Sequence, residues 1–532
     1  MSKTLQFLPA GSNRFIVELD DLESTIALGD ALQAAHIEGV LEVVPGAVTL
    51  HVSFDPFVTT AQELYAHILA LRPQAGEGRS GDLVEIPMIY DGEDLAFAAG
   101  YLGWSVDELI RRHRAATFTV AFTGFAPGFA YMTCDDPDLE VPRRDSPRVR
   151  IPAGSVSLAG RFCGVYPSDT PGGWQLLGTT SIPMWDVNRE PAALLKPGDR
   201  VRFVEAVDSI KTIQPVDTKP ASNPYQGGKG FRVVRSDRPL LFQDFGRAGN
   251  AHQGVSQSGA ADRQALRHAN YLLGNADAAV ALEVTYGGAV FEAEMPLTVA
   301  VTGAASPLTI TTADGRTSVP SAIAPIALDA GDILTLGVPA HGVRSYVALR
   351  GGFAAPRVLG SASTDTLAKV GPDPISAGMV LLPSNDTRGS VCAHGAEQPR
   401  LPGSGDVVVL DVVMGPRTDW FTPEAIRTFT EQAWTVTPES NRVGVRLNGA
   451  SALSRECADE LPSEGTSRGS IQIPRNGQPV LFLADHPLTG GYPVIAVVAE
   501  HHLSLAAQIP IGARIRFNAI AGFDPQVKEI DR

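Results

Sequence analysis

The strongest constraint on the fold is an echo between two distant parts of the chain. Pro197-Gly-Asp-Arg-Val-Arg-Phe203 recurs as Pro510-Ile-Gly-Ala-Arg-Ile-Arg-Phe517, longer by Ile511. Ahead of the first copy lie Ala153-Gly-Ser-Val and Thr170-Pro-Gly-Gly-Trp174. Ahead of the second, in the same order, lie Gly469-Ser-Ile-Gln and Leu488-Thr-Gly-Gly-Tyr492. Short glycine motifs recur by chance, but shared order favours duplication of one folding unit.

That unit should be built of strands. Between the echoed segments the chain reads as short apolar runs separated by glycine-proline turns, and 53 glycines and 40 prolines suit many tight turns better than long helices. The 532 residues exceed what one core holds, since cores stop growing at about 250 to 300 residues. The expected fold is therefore mainly β, with a small N-terminal α/β lobe over 1–82 containing helices near 27–36 and 61–71. Further domains are expected at 83–214, 231–384 and 385–532. A linker over 215–230 holds Lys219-Pro220, Asn223-Pro224 and Gly227-Gly-Lys-Gly230. The Gly-Lys step lacks the GxxxxGK[ST] pattern of a phosphate loop.

Ser105-Val-Asp-Glu108 reads as a capping box, and Ala260 to Leu273 as a helix. A formal charge of -15 disfavours a nonspecific nucleic-acid surface. No stretch of 18 apolar residues suggests a membrane span, and cytoplasm is the expected compartment. Cys134, Cys163, Cys392 and Cys457 form no CxxC, so neither a disulfide framework nor a zinc knuckle is expected, and no metal motif occurs among the histidines.

Chemistry-bearing residues gather in two regions. In the first, Gly124-Phe-Ala-Pro-Gly-Phe-Ala-Tyr131 is a loop whose glycines permit close backbone approach. Arg143, Arg144 and Arg148 offer forked donors for a carboxylate or phosphate, or else internal salt bridges. Tyr166, Thr170 and Trp174 are candidates for a pocket wall. In the second region, Asp244, Arg247, His252 and Asp262 are read as a hydrogen-bonded acid–base group, with Asp262 equally placed to cap a helix. Arg442, Glu464 and Thr489 are further binding candidates, and Asp485 is a second catalytic carboxylate beside the glycine turn. There is no GxSxG or HExxH.

Together these segments resemble a known family. The span 11–210, with Gly124-Phe-Ala-Pro-Gly-Phe-Ala-Tyr131, Pro142-Arg143, Ile151-Pro-Ala-Gly-Ser-Val156 and Tyr166-Pro-Ser-Asp-Thr-Pro-Gly-Gly-Trp174, is similar to the B subunit of bacterial 5-oxoprolinase, also called allophanate hydrolase subunit 1. The span 231–522 resembles the C subunit, with Gln243-Asp-Phe-Gly-Arg247, Ser258-Gly-Ala-Ala-Asp262, Ser440-Asn-Arg-Val-Gly444, Ile471-Gln-Ile-Pro474 and Gly490-Gly-Tyr-Pro493. The resemblance implies cyclophilin-like β-barrel lobes, one in the B-like module and two in the C-like module.

It also implies a role in ATP-dependent opening of 5-oxo-L-proline to L-glutamate, with a separate A subunit as partner and ATP with magnesium required by the complete enzyme. Two alternatives travel with the family: biotin-dependent carboxyl transfer to urea or a related amide, and noncatalytic regulation of a histidine kinase. The chain carries no Met-Lys-Met biotin site, so no covalent biotin is expected. The resemblance leaves self-association open, and a substrate pocket between the B-like and C-like modules, using both, is one expectation. Fusion would fix the two modules at a one-to-one ratio and raise their effective concentration for each other.

Overall fold

The computed structural model describes residues 4–71, 81–144, 146–206, 228–321, 324–392, 399–457 and 459–529. Most of the expected linker, Pro215 to Gly227, lies outside the described residues, as does Asp145 among the clustered arginines.

The N-terminal lobe is a five-stranded antiparallel sheet in the order Val40–Pro45, Thr49–Phe54, Arg14–Glu18, Thr4–Pro9 and Gln526–Glu529. Its last strand comes from the far end of the chain, with Gln6 opposite Val527. Helices α1 (Leu22–Ala35) and α2 (Ala61–Ala70) belong to the same lobe, and Leu28, Leu32, Leu64 and Ile68 join Phe7, Phe15, Leu50 and Val52 in its core. A full capping box opens α2: the Glu63 amide donates to Thr60 Oγ1 (3.3 Å) and Glu63 Oε2 accepts from the Thr60 amide (2.8 Å).

The next lobe is a seven-stranded sheet in the order Gln175–Thr179, Ser155–Ala159, Phe162–Val165, Ala130–Cys134, Phe118–Thr123, Arg200–Glu205 and Leu83–Met88. Helices α3 (Leu95–Tyr101) and α4 (Val106–Ala115) accompany it. Ser105 caps α4 by accepting from the Glu108 amide (3.1 Å), but the box expected there is half formed. The Glu108 carboxylate turns outward to Arg111 (2.6 and 2.8 Å), because a charged guanidinium one turn on outcompetes a neutral amide.

His113 of α4 lies in this core, its ring 4.8 Å from that of Phe203, with the Tyr90 hydroxyl 2.8 Å from Nδ1. Burial pushes its pKa from the ordinary 6.5 down to about 3. The unfolded chain therefore takes up a proton near 6.5 that the folded chain takes up only near 3. The stability this neutral ring contributes is full above the upper value and drains away as pH falls through that window. His113→Phe should flatten the fall in melting temperature between pH 7 and pH 4 in a thermal-unfolding series, and an unchanged slope would exclude the linkage.

The middle lobe splits into a six-stranded sheet running from Thr317–Ser318 to Val380–Leu381 and a five-stranded sheet from Leu240–Gln243 to Ile326–Leu328. Both face one core that includes Phe231, Phe242, Leu282, Phe291 and Val347. Helix α5 (Arg263–Leu272) covers the second sheet through Leu266, Ala269 and Leu272 against Ala281, Ala300 and Tyr346.

The last lobe closes into a seven-stranded barrel, in the order Val407–Met414, Val494–Val498, Ser470–Gln472, Val480–Phe482, Gly444–Asn448, Trp434–Val436 and Arg514–Ala521. Among the described residues, no helix is long and apolar enough to cross a membrane.

The echo has a structural meaning. In the B-like lobe the closing strand Arg200–Glu205 runs parallel to the opening strand Leu83–Met88, with Val201 opposite Val84. In the last lobe Arg514–Ala521 runs parallel to Val407–Met414, with Ile515 opposite Val408. The echoed glycine turns likewise form matching two-stranded ribbons, Thr170–Gly172 with Arg148–Ile151 and Thr489–Gly490 with Glu464–Gly465.

Candidate functional site

The two ribbons stand on opposite sides of one cleft of about 930 Å³, the first belonging to the B-like lobe and the second to the last barrel. Gly172, Gly173 and Trp174 line one wall; Thr489, Gly490, Gly491 and Tyr492 line the other. Equivalent turns of a duplicated unit thus meet across a shared space.

The walls are joined at the Gly124–Tyr131 loop. Phe125 sits at φ +64, which turns its amide toward the barrel, where it donates to Thr489 Oγ1 (2.9 Å). A Cβ on Gly124 would lie 2.6 Å from that oxygen, so the approach requires glycine. The loop is also tied to the middle lobe, because the Gly128 amide donates to the Gln253 carbonyl (2.9 Å).

Behind this joint is an aromatic floor. Phe129 packs edge-on against Tyr166 (5.4 Å) and Trp174 (5.3 Å), and Tyr131 against Trp174 (5.6 Å). Tyr166 is buried, which holds its phenol protonated well above the usual range, so it offers the cleft a neutral wall. The Ser463 hydroxyl of the barrel stands 3.4 Å from the Tyr131 hydroxyl, a second polar contact between the walls.

The three clustered arginines have different fates. Arg144 Nη1 and Arg148 Nη2 both donate to Asp94 Oδ1 (2.9 and 2.8 Å), and Arg148 also reaches Glu93 (3.0 Å). Burial acts to raise the Asp94 carboxyl, but Arg148, the Leu176 amide and Arg144 bring it below the ordinary carboxylate range. Those two arginines are therefore internal ion pairs, although Arg144 still lines the cleft. Arg143 is exposed and has no ion-pair partner among the described residues. It faces the barrel's glycine turn, with Nη1 3.8 Å from where a Cβ on Gly491 would lie.

The other candidates fall away from the cleft. Thr170 is on its ribbon but does not line the space, its hydroxyl meeting the Pro171 carbonyl (3.2 Å). Asp244, Arg247, His252 and Asp262 do not form the expected hydrogen-bonded group. Asp244 takes the hydroxyls of Ser361 and Ser363 (both 2.6 Å), and Arg247 donates to the Ser363 carbonyl, so both hold the 357–365 loop. His252 is exposed, its Nδ1 3.1 Å from the Gly249 carbonyl, beside a separate recess of about 150 Å³. Asp262 caps α5 through the Ala265 amide (2.9 Å) and accepts from Gln508 Nε2 (2.8 Å).

Asp485 is fully buried between the middle lobe and the barrel. Arg442 donates to both its oxygens (2.9 Å each), joined by Ser258 (2.7 Å) and by the Thr366 amide and hydroxyl (2.9 and 2.7 Å). Burial alone would raise this carboxyl; Arg442 above all brings it below its ordinary value. A carboxylate surrounded by five donors is a poor proton acceptor. Arg442 also donates to Glu283 and to the Gly259 carbonyl (2.7 Å). Glu464 is buried against Arg417 (2.8 and 2.9 Å), whose Nη1 also reaches Glu18 (2.7 Å) of the N-terminal lobe. These groups join lobes.

Two cleft residues lacked a local signal in the sequence. Ser463 lies in the Pro462-Ser-Glu464-Gly segment, where Glu464 drew the attention, and Arg455, whose guanidinium lies 5.7 Å from the Tyr492 ring while donating to the Ile473 carbonyl, shares no spacing with the other basic residues.

Family models decide the lineage of this arrangement. The model described as carboxyltransferase domain, subdomain C and D, matches residues 5–195, and that described as carboxyltransferase domain, subdomain A and B, matches residues 253–519. The chain belongs to the carboxyltransferase-domain family. This carboxyltransferase-family chain is 36% identical over 290 residues to the C subunit of 5-oxoprolinase from Escherichia coli K12, covering 54% of the chain and 90% of the relative. It is 44% identical over 130 residues to the B subunit of 5-oxoprolinase from Escherichia coli O157:H7, covering 24% of the chain and 60% of the relative. A crystal structure of the protein TTHA0988 superposes on the carboxyltransferase-family fold with a TM-score of 0.81 at 32% identity. The match covers 95% of this chain and 100% of that one, so both halves occur there in one chain with the same architecture.

Proposed function

We propose that the chain is the fused B and C component of a 5-oxoprolinase, which with a separate A subunit and ATP opens 5-oxo-L-proline to L-glutamate. The observation that carries this reading is the shared cleft. Relatives named as two separate subunits match successive parts of the chain, and the cleft takes its walls from both parts. Neither half alone would enclose it.

5-Oxoproline is a small lactam bearing one carboxylate. Arg143, free of a carboxylate partner among the described residues, is assigned to that group, where a forked charge-assisted contact is strongest. The Tyr166 and Trp174 floor offers the ring an apolar face that excludes water. Thr489 Oγ1 already accepts the Phe125 amide, and its own hydrogen meets no protein acceptor among the described residues, so it is placed to donate to the lactam carbonyl. Asp262, engaged by the Ala265 amide and Gln508, and Asp485, surrounded by donors, do not line the cleft and are assigned to holding lobes together instead of moving protons.

ATP and magnesium are requirements of the complete enzyme. The two carboxylates lining the cleft fit a magnesium nucleotide poorly: Glu460 is paired with Arg475 (2.6 Å), and Asp459 accepts from Cys457 Sγ (3.5 Å). No step on this chain is routed through the nucleotide.

Purified chain combined with the A subunit and ATP should release glutamate from 5-oxoproline. In that assay Arg143→Gln should raise KM by roughly tenfold, the worth of one hydrogen-bonded charge contact, while melting stays unchanged because Arg143 pairs with no carboxylate among the described residues. Absence of glutamate release defeats the reading. The matching family models are described as carboxyltransferase domains, which favours one second reading, transfer from a separate biotin carrier to urea or a related amide. Carboxybiotin-dependent carboxylation in place of glutamate release would establish it.

A further inference from the structure

A basic cluster lies where three lobes meet, away from the cleft. Arg14 comes from the N-terminal sheet, Arg263 from the first position of α5, and Arg468 from the turn before strand Ser470–Gln472 of the barrel. Their protein acceptors are chiefly backbone carbonyls. Arg263 Nη2 donates to Phe245 (3.2 Å), and Arg468 Nη2 to Ala261 and to Leu503 (3.4 Å). The Nε of both is sealed from solvent without an acceptor. Among the described residues, the Nη1 of both also meets no acceptor.

One carboxylate stands at ion-pair distance from the cluster. Among the described residues, only Glu500 comes within ion-pair distance of any of them, 3.6 Å from Arg14 Nη1, and its side chain is 55% exposed. Other charges nearby are already engaged. Glu42 accepts the amides of Ala251 and Gly249, and Asp262 is occupied by α5 and Gln508. His51 and His486 stand alongside, held neutral by burial, and the buried Nε2 of His51 has no partner among the described residues. Burial pushes Arg263 down to about 9, and the charges of Arg468 and Arg14 add to the effect.

Glu42 and Asp262 act on Arg14 and Arg468 only from beyond ion-pair distance, and burial raises both carboxyls, so the three guanidinium groups carry more positive charge than is closely paired, an arrangement that is costly away from water. Forked donors carrying that excess suit a doubly charged tetrahedral oxyanion. We propose that this three-lobe junction binds a phosphate-type dianion through Arg14, Arg263 and Arg468, with Glu500 as the group it displaces. Because each arginine belongs to a different lobe, the bound anion ties the lobes together. The source is either free phosphate or the terminal phosphate of a nucleotide. The inference does not depend on 5-oxoproline as substrate.

The test uses the full chain without the A subunit, so its outcome is separate from that of the glutamate assay. Inorganic phosphate should raise the melting temperature by roughly 3 °C at saturation beyond potassium chloride of equal ionic strength, and should broaden the phosphorus-31 resonance of phosphate. Arg468→Gln and Arg14→Lys should each weaken the phosphate midpoint by roughly tenfold, and Glu500→Gln should strengthen it. A parallel titration with ATP identifies the source: a tighter midpoint than phosphate assigns the site to nucleotides, a weaker one to free phosphate. Absence of both the phosphate-specific shift and the broadening in the unaltered chain overturns the proposal, as do variant midpoints equal to the parent's. If Arg468→Gln does not fold, Arg14→Lys and the unaltered chain's resonance decide.

Discussion

Arg442→Ala will destabilise the junction between the middle lobe and the barrel by about 3 to 5 kcal/mol, because it removes one partner of a buried ion network and leaves the others unpaired. Arg442 alone reaches Asp485, Glu283 and the Gly259 carbonyl. Glu283 is fully buried and keeps only the Tyr346 hydroxyl (2.6 Å), the Ala261 amide (3.1 Å) and, at 3.5 Å, the Arg344 guanidinium. Burial acts to raise both carboxyls, and Arg442 is the largest influence holding each below its ordinary value. Without it they must take up protons or draw in water. The measurement is the urea midpoint of the variant against the parent, and a midpoint within error of the parent would mean that the network is not what holds this junction. Arg442→Lys should recover only part of the loss, since an ammonium cannot span two carboxylates and a carbonyl with a fixed fork.

Gly124→Ala will lower kcat/KM in the reconstituted glutamate-forming reaction by about a hundredfold, the usual scale for an ångström's misplacement of a positioned group. The added methyl would sit 2.6 Å from Thr489 Oγ1 and 2.7 Å from its Cγ2. Contacts so short must relax by moving the 124–129 loop off the barrel, which breaks the Phe125–Thr489 hydrogen bond and shifts both walls. Gly100→Ala is the control, because a Cβ there meets nothing within 4 Å. If Gly124→Ala retains parent activity, the joint between the ribbons does not organise the site.

The two kinds of candidate residue differ in how legible they were. Gly124 was readable because glycine in an aromatic loop announces close approach, although only the fold names Thr489 as the partner. The arginine cluster was readable as charge, but not as three separate fates. Asp94, which takes Arg144 and Arg148, lies some fifty residues earlier and gives no sign of its role. Asp262 had two local readings, cap and catalyst, and the capping bond to Ala265 is the one that formed. His252 and Asp485 looked reactive beside glycine turns. Accessibility separates them from the cleft, since one is exposed elsewhere and the other is buried among donors.

By itself, the sequence determined the β-rich class and the repeated unit, because strand periodicity, glycine turns and the order of echoed motifs are local properties that survive without knowledge of contacts. Tertiary structure alone decided that the equivalent turns of the two units line one cleft, that Gln526–Glu529 completes the N-terminal sheet, and that the charges of Arg14, Arg263 and Arg468 act on one another. Each of these depends on the relative placement of segments hundreds of residues apart. That placement is set by the summed burial and pairing at the lobe junctions, and no single stretch of chain encodes it.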